Sequence, residues 1–393
     1  MRATAHSYGY REVRTPMFER TELFIRSIGE HTDVVNKEMY TFTDKGNRSL
    51  TLRPEGTAPV MRAFIEHQLQ QEGGDHRFFY IAPMFRYERS QAGRYRQHHQ
   101  FGVEAIGCAT PEQDAEVIDM LYTLYSRLQL QGLEVSINTL GTAECRERFR
   151  TVLIDYLRGH QQQLSEDSRR RLEANPCRIL DSKDPGDRAA IAAAPSIHDF
   201  LNAEARDHFE QLLSLLDSLK IPYKVTPLLM RGLDYYNKTV FEVASGSLGA
   251  QDSIGGGGRY DGLLKALGGS DLPSIGFGTG IERILQVMLA QQLPLPTPPR
   301  PTLYLIPLGA KAKQQAFLLM QALRRKAIAV QMDLTGRKLG KAMQQASQLR
   351  AHYVAVIGDR ELDSGLVELK QMETAEVQSV SIDALEILLS SHR

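Results

Sequence analysis

A chain of 393 residues with 47 Lys plus Arg against 47 Asp plus Glu is too long for one ordinary core and carries no net basic field, so it reads as two or three globular units whose contacts with any nucleic acid rest on local patches. Its apolar residues form no run near the ~20 residues of a membrane helix, and the opening Met1-Arg2-Ala3-Thr4-Ala5-His6 lacks the apolar stretch of a signal peptide. Cys108, Cys145 and Cys177 are odd in number and widely spaced, which fits neither a disulfide framework nor a Cys-x-x-Cys zinc site and points to a reducing cytoplasm.

Residues 49–53 read as a strand, and Pro54-Glu55-Gly56-Thr57 then opens a helix with Val60, Met61, Phe64 and Ile65 on its apolar positions. Glu55 and Thr57 thus stand where a strand ends and a helix begins; Thr57 fits a helix cap as well as a ligand contact. Residues 78–89 read as a strand, 90–96 as a polar and basic loop, and 97–107 as a second strand. Alternation puts Arg86 and Glu88 on one face, and in the second strand sets Gln100, Gly102 and Glu104 opposite Phe101, Val103 and Ala105. Gly102 leaves room above the sheet between Gln100 and Glu104. A solvated face carrying ion pairs has the same pattern. His98 and His99 point to opposite faces with no third ligand at metal spacing, so no metal site is expected there.

Thr110 and Pro111 open a helix with Val117, Ile118, Leu121, Leu124 and Leu128 on one face. From about 143 to 220 the pattern turns helical and charge-rich, including Glu166-Asp167-Ser168-Arg169-Arg170-Arg171, and reads as an inserted module. Residues 229–242 are charged and aromatic and run into a strand. The glycines 255–258 before Arg259-Tyr260-Asp261-Gly262 fit either a flexible turn or a backbone lying against a ligand. Residues 274–283 read as a glycine-rich strand and turn opening a helix with Arg283 in its first turns, without a Walker lysine. Prolines across 291–301 mark a linker. Beyond it, strands at 303–308, 329–334 and 353–357 alternate with helices at 311–326 and 340–350, and a last helix follows Ile382. That order implies a small parallel-sheet unit, whereas the strand-rich part before the linker implies an α+β unit around an antiparallel sheet. The expected division is 1–290, with the insertion at about 143–220, then 291–301 and 302–393.

Together these strings resemble class II aminoacyl-tRNA synthetases and, among them, the histidyl-tRNA synthetase family. Phe85-Arg86-Tyr87-Glu88-Arg89 through Gly107 resembles motif 2, residues 275–283 resemble motif 3, and the region around Pro16 resembles the end of motif 1. Arg231-Gly232-Leu233-Asp234-Tyr235-Tyr236 and Gly257-Gly258-Arg259-Tyr260-Asp261-Gly262 resemble the two histidine-specific signatures. The resemblance implies a class II catalytic domain, α+β on an antiparallel sheet with a helical insertion, followed by a small α/β anticodon-binding domain. It implies activation of L-histidine with ATP, accompanied by Mg²⁺, to histidyl-adenylate and pyrophosphate. Transfer to the 3′ end of tRNA(His) follows, in a cytoplasmic homodimer with no membrane partner.

By that resemblance Arg86, Arg231 and Arg283 are the catalytic cations. Arg86, Glu88 and Arg283 bind ATP, and Glu55, Thr57, Arg94, Gln100, Glu104, Tyr236 and Tyr260 bind histidine. Arg89, Gln91 and Arg96 meet the tRNA acceptor end, and Arg169 to Arg171 the acceptor stem. Family members carry a further N-terminal segment, so the chain reads as starting late, near His6-Ser7-Tyr8-Gly9-Tyr10. The competing expectation is a non-catalytic regulatory paralogue that binds histidine or a partner enzyme; such paralogues lack the Arg231 segment and the C-terminal domain, and both are present here.

Overall fold

Two ten-residue strands, His76–Phe85 and Gln97–Ile106, pair antiparallel along their whole length. Aromatic and β-branched residues at alternate positions favour this pairing, because each side chain then packs against a cross-strand neighbour. In the computed structural model, which describes residues 1–30, 32–88, 93–248, 252–296 and 298–390, they belong to an eight-stranded sheet. Its order is Arg11–Glu12, His76–Phe85, Gln97–Ile106, Ser274–Gly280, Ser253–Arg259, Asn237–Ser245, Leu133–Thr139 and Lys224–Val225. Only the outermost pairs are parallel. Contacts divide the chain into two units, Met1–Pro294 and Leu295–Arg393.

The two faces of this sheet differ. One carries Phe79, Phe101, Val103, Phe241, Val243, Ile275 and Phe277, which form a core with the helices Pro111–Arg127, Ala203–Ser218 and Ile281–Ala290. Each such fully buried side chain contributes ~1.5–3 kcal/mol. Helix Ala203–Ser218 lies within the segment expected as an insertion, yet Phe209, Leu212 and Leu216 join this main core. The opposite face is nearly bare of side chains at its centre. Gly102 pairs with Gly278, and Gly278 with Gly256; Glu104 pairs with Gly276, and Gly276 with Gly258. The glycine run is therefore a central strand, and the turn alternative fails.

Helix Thr57–Glu66 and the helices Ala143–Gly159 and Glu166–Ala174 share a second core with Phe78, Tyr80, Tyr236 and Tyr260. A three-stranded sheet of Phe18–Arg20, Ser49–Leu52 and Tyr40–Thr43 stands apart from the large one. Among the described residues no helix is long and apolar enough to cross a membrane.

In the second unit Leu303–Pro307 sits between Val330–Met332 and Tyr353–Ile357, all parallel, as the βαβαβ reading expects. The sheet is not wholly parallel, however. Leu366–Gln371 and Val377–Ser381 extend it antiparallel, with only Val367 and Leu369 of the first buried in the core.

Candidate active site

Glu104 lies 1% exposed on the glycine-lined face and accepts hydrogen bonds from the Thr57 hydroxyl (2.8 Å), the Tyr80 hydroxyl (3.3 Å) and the Tyr260 hydroxyl. Burial pushes its carboxyl up to about 8, against the pull of these three donors and with the help of the nearby Glu55 charge. Glu55 is also buried, and burial raises its carboxyl too. It accepts from the backbone N–H groups of Thr57 (2.6 Å) and Ala58 (2.9 Å). The N-cap position is Gly56; the residue before it, Glu55, takes the first N–H groups of the helix, and Thr57 turns its hydroxyl to Glu104. Two buried acids met only by neutral donors are acceptors prepared for a ligand that brings N–H groups of its own.

The space that Gly102 was expected to leave for a ligand is occupied by the Tyr80 ring. A Cβ added at Gly102 or at Gly56 would fall 2.3 Å from ring atoms of Tyr80, so both glycines are there to admit it. Tyr80 is a site residue that the sequence reading missed, although its pairing opposite Gly102 was available from the two strands. Tyr235, Tyr236 and Tyr260 form an aromatic wall, their ring centroids 4.6–6.2 Å apart.

Further along the trough the lining changes to arginine. A cavity of about 220 Å³ is bounded by Arg86, Arg94, Arg231 and Arg283, with Glu88 and Gln100. Arg86 donates Nε to the Pro54 carbonyl at 2.8 Å, and Arg283 donates to the carbonyls of Gly93 (3.1 Å) and Ser253. Glu88 pairs with Arg94 at 2.9 Å, and Arg231 pairs with Glu242. Burial, and next the neighbouring Arg94 charge, push the Arg283 guanidinium below its ordinary value, a strain that an anion would relieve. The Oε1 of Gln100 and the Nε of Arg231 are buried without a hydrogen-bond partner. Gly256 and Gly278 again make room: a Cβ would come 2.9 Å from Arg231 and 1.9 Å from Gln100.

Not every expectation holds as stated. The first strand stops at Phe85, so alternation does not set Arg86 and Glu88; a tight turn with Glu88 N–H on the Arg86 carbonyl (2.8 Å) does. Arg94, expected to bind histidine by anchoring the substrate carboxylate or phosphate, lines the arginine cavity. Arg96 stacks 4.3 Å over the Tyr87 ring, while Arg89 and Gln91 lie outside the described residues. Of the three module arginines, Arg171 pairs with Asp33 at 2.7 Å, Arg169 donates to the Leu164 carbonyl at 2.9 Å, and Arg170 pairs with Glu166. Arg259 was given no role, yet it is wholly buried against Asp114 and anchors the residue next to Tyr260.

Residues 1–284 match the family described as Histidyl-tRNA synthetase, and residues 302–392 match that described as Anticodon binding domain. The chain is 62% identical over 385 residues to the histidine–tRNA ligase of Protochlamydia amoebophila, covering 98% of this chain and 91% of that protein. It is 46% identical to the enzyme of the same name from Desulfitobacterium hafniense, with 98% and 91% covered. The crystal structure of apo histidyl-tRNA synthetase from S. aureus, 38% identical, superposes with a TM-score of 0.84 over 99% of this chain and 93% of that one. The chain belongs to the histidyl-tRNA synthetase family of class II aminoacyl-tRNA synthetases.

Proposed function

We propose that the chain joins L-histidine to tRNA(His), with histidine held at the Glu104 end of the glycine trough and ATP at its arginine end. The observation that carries this reading is the pair of buried carboxylates, hydrogen-bonded by neutral donors, adjoining a cavity ringed by four arginines on the glycine-lined sheet face. Glu55 and Thr57 take the α-ammonium group, while Glu104, Gln100, Tyr236 and Tyr260 satisfy the two imidazole nitrogens. Such a pocket rejects near-isosteres by ~10⁴ or more, since a wrong side chain leaves buried polar groups unpaired.

The histidine carboxylate then attacks the α-phosphorus of ATP. A carboxylate oxygen–phosphorus bond forms, the bond to the bridging oxygen breaks, and pyrophosphate leaves with the electron pair. Charge grows on the α-phosphoryl oxygens as this happens, and Arg86 and Arg231 meet it from opposite sides, while Arg283 holds the phosphate tail. In the second step a terminal ribose hydroxyl of the tRNA attacks the adenylate carbonyl carbon and AMP departs.

Glu88 and Glu282 stand at the arginine cavity and would each offer one carboxylate to a Mg²⁺ carried on the nucleotide. When bound it would neutralise the phosphate tail. Arg89, Gln91 and Arg96 approach the acceptor end, Arg169 to Arg171 the acceptor stem, and 302–393 the anticodon, beyond the linker at 291–301. A homodimer is part of the proposal: Met17, Phe18 and Phe42, 44–54% exposed on and beside the small sheet, supply apolar surface for an interface. Three free thiols suit the cytoplasm.

The non-catalytic alternative is not favoured, because Arg86, Arg231 and Arg283 converge on one cavity and the second unit is present. ATP–pyrophosphate exchange measured with each of the twenty amino acids tests the proposal. Exchange only with histidine supports it, and exchange with none, or with another amino acid, sinks it.

A further inference from the structure

Arg231 and Tyr236 lie on a stretch, residues 229–236, that has neither helix nor strand of its own. A segment without a backbone ladder is placed by whatever reaches its carbonyls and N–H groups. Two of those reaching side chains come from the inserted module, and a third module side chain reaches a carboxylate of the segment. Arg178, on the short turn Pro176–Ile179, donates to the carbonyl of Arg231 at 2.8 Å. Arg146, on helix Ala143–Gly159, donates to the carbonyl of Tyr236 at 2.9 Å. Asn175 donates to the carboxylate of Asp234, between them, at 2.8 Å. Elsewhere the segment is tied at its start, where Asn138 donates to the Leu229 carbonyl at 3.1 Å, and at Asp234, whose N–H meets the Ile28 carbonyl at 3.1 Å.

Packing and hydrogen bonding share this task on the module side: Met230 and Tyr236 join the core that Phe149, Leu153 and Ile179 of the module help to form, while a cavity of about 390 Å³ opens beside Arg146, Cys177, Arg178, Arg231, Asp234 and Tyr236. Apolar contact is non-directional, so the aim of the backbone at Arg231 and Tyr236 falls to the hydrogen bonds on their carbonyls. The guanidinium charge strengthens each bond relative to a neutral donor.

We propose that Arg178 and Arg146 are positioning residues through which the inserted module sets the active site: Arg178 fixes where Arg231 meets the reacting phosphate, and Arg146 fixes where Tyr236 closes the histidine end. This rests on the roles proposed above for Arg231 and Tyr236. Because the two clamps hold residues with different tasks, their loss separates in the kinetics. An arginine misplaced by a fraction of its bond length weakens stabilisation realised only in the transition state, which lowers kcat. A misplaced Tyr236 weakens binding of histidine throughout, which raises KM.

The test is pyrophosphate exchange by the full chain over a range of histidine concentrations, alongside thermal melts, for Arg178→Ala, Arg146→Ala, Arg178→Lys and Arg146→Lys. Arg178→Ala is expected to lower kcat by roughly ten- to a hundredfold with KM for histidine within about twofold. Arg146→Ala is expected to raise that KM by about tenfold with kcat within about threefold. A single carbonyl needs one donor, so the lysine variants recover most of each loss. Should an alanine variant fail to fold, the lysine pair must still show the split in weaker form. Equal losses of kcat and KM that merely track a lowered melting temperature, or no change in either, overturn the inference. Wild-type protein that exchanges with indifferent variants fails the inference alone; wild-type protein that does not exchange with histidine fails the functional reading and this inference with it.

Discussion

Two of the buried carboxylates of the first unit, Asp114 and Glu104, stand in opposite situations. Asp114, on helix Pro111–Arg127, receives Arg259 Nε at 3.0 Å, His208 Nε2 at 2.8 Å and the Thr239 hydroxyl at 2.6 Å. Burial would push its carboxyl up, but the Arg259 guanidinium and the His208 ring outweigh burial and hold it below the usual carboxylate range. Glu104 receives three hydroxyls and no cation, and burial prevails, lifting it to about 8. The difference teaches how to tell a structural charge from a binding one. A carboxylate that the chain supplies with its own cation, as at Asp114, or with four donors, as Asp187 receives from three serines, is spoken for, whereas Glu104, left with three hydroxyls and a raised carboxyl, is the one suited to an N–H-bearing ligand.

The sharpest way to break this comparison is to remove Asp114. Asp114→Ala leaves Arg259, wholly buried, without its main partner, and stranding one half of a buried pair costs about 3–5 kcal/mol. A denaturant titration is expected to lose that much of the folding free energy; a loss under about 1 kcal/mol would mean that the network is not structural.

Glu104→Gln should do the reverse. Its amide keeps the shape, so the folding midpoint holds or rises, while kcat/KM for histidine in exchange falls by ~10² or more as the imidazole loses its acceptor. An unstable but active variant would reverse the assignment of the two acids. Stability against pH then separates them without kinetics. Glu104 has a raised carboxyl, so the folded state holds its proton more tightly than the unfolded chain, and stability declines as pH rises from the ordinary carboxylate value to about 8. Asp114 has a lowered carboxyl, so its contribution is complete above the ordinary value and is lost as pH falls through its own. Melts from acid to mildly alkaline pH are expected to show a shallower alkaline-side decline in Glu104→Gln, the remainder belonging to Glu55, whose carboxyl burial also raises. A decline that persists unchanged in this variant would show that Glu104 is ionised throughout.

The ligand end of the contrast was legible in the sequence and the structural end was not. Gln100, Gly102 and Glu104 share a face because a strand alternates, and the Arg231 to Tyr236 string was singled out by its resemblance to a family signature. Asp114 and Arg259 are 145 residues apart, and no local rule pairs a helix carboxylate with an arginine that follows a glycine strand. Gly102 was read as open space because a glycine reports only that something comes close, and the incoming group, Tyr80, is identified by register between strands. The cap alternative for Thr57 could not be settled from the sequence, because threonine is a common cap, whereas in the fold the Thr57 hydroxyl goes to Glu104 and Glu55 meets the N–H groups of the first turn. The hairpin at the edge of the second unit was missed because Leu366–Gln371 buries just two apolar residues, too few for a period to register.

The smallest expected effect lies where the two carboxylate systems meet. Tyr260 gives its hydroxyl to Glu104, yet it is aimed by its neighbours: Arg259 is fixed on Asp114, and Asp261 accepts from Arg259 (3.2 Å) and from the Ser274 N–H (3.0 Å). Tyr260→Phe therefore removes one donor from the binding carboxylate and leaves the anchor whole. Glu104 keeps Thr57 and Tyr80, and the loss is that of a single hydrogen bond, about 1 kcal/mol. KM for histidine is expected to rise roughly fivefold, with kcat within about twofold and the folding midpoint unmoved. A variant as inactive as Glu104→Gln would make Tyr260 an indispensable ligand contact in its own right. One as unstable as Asp114→Ala would assign its hydroxyl to the structural network, and the line drawn between the two acids would fall on the other side of Tyr260.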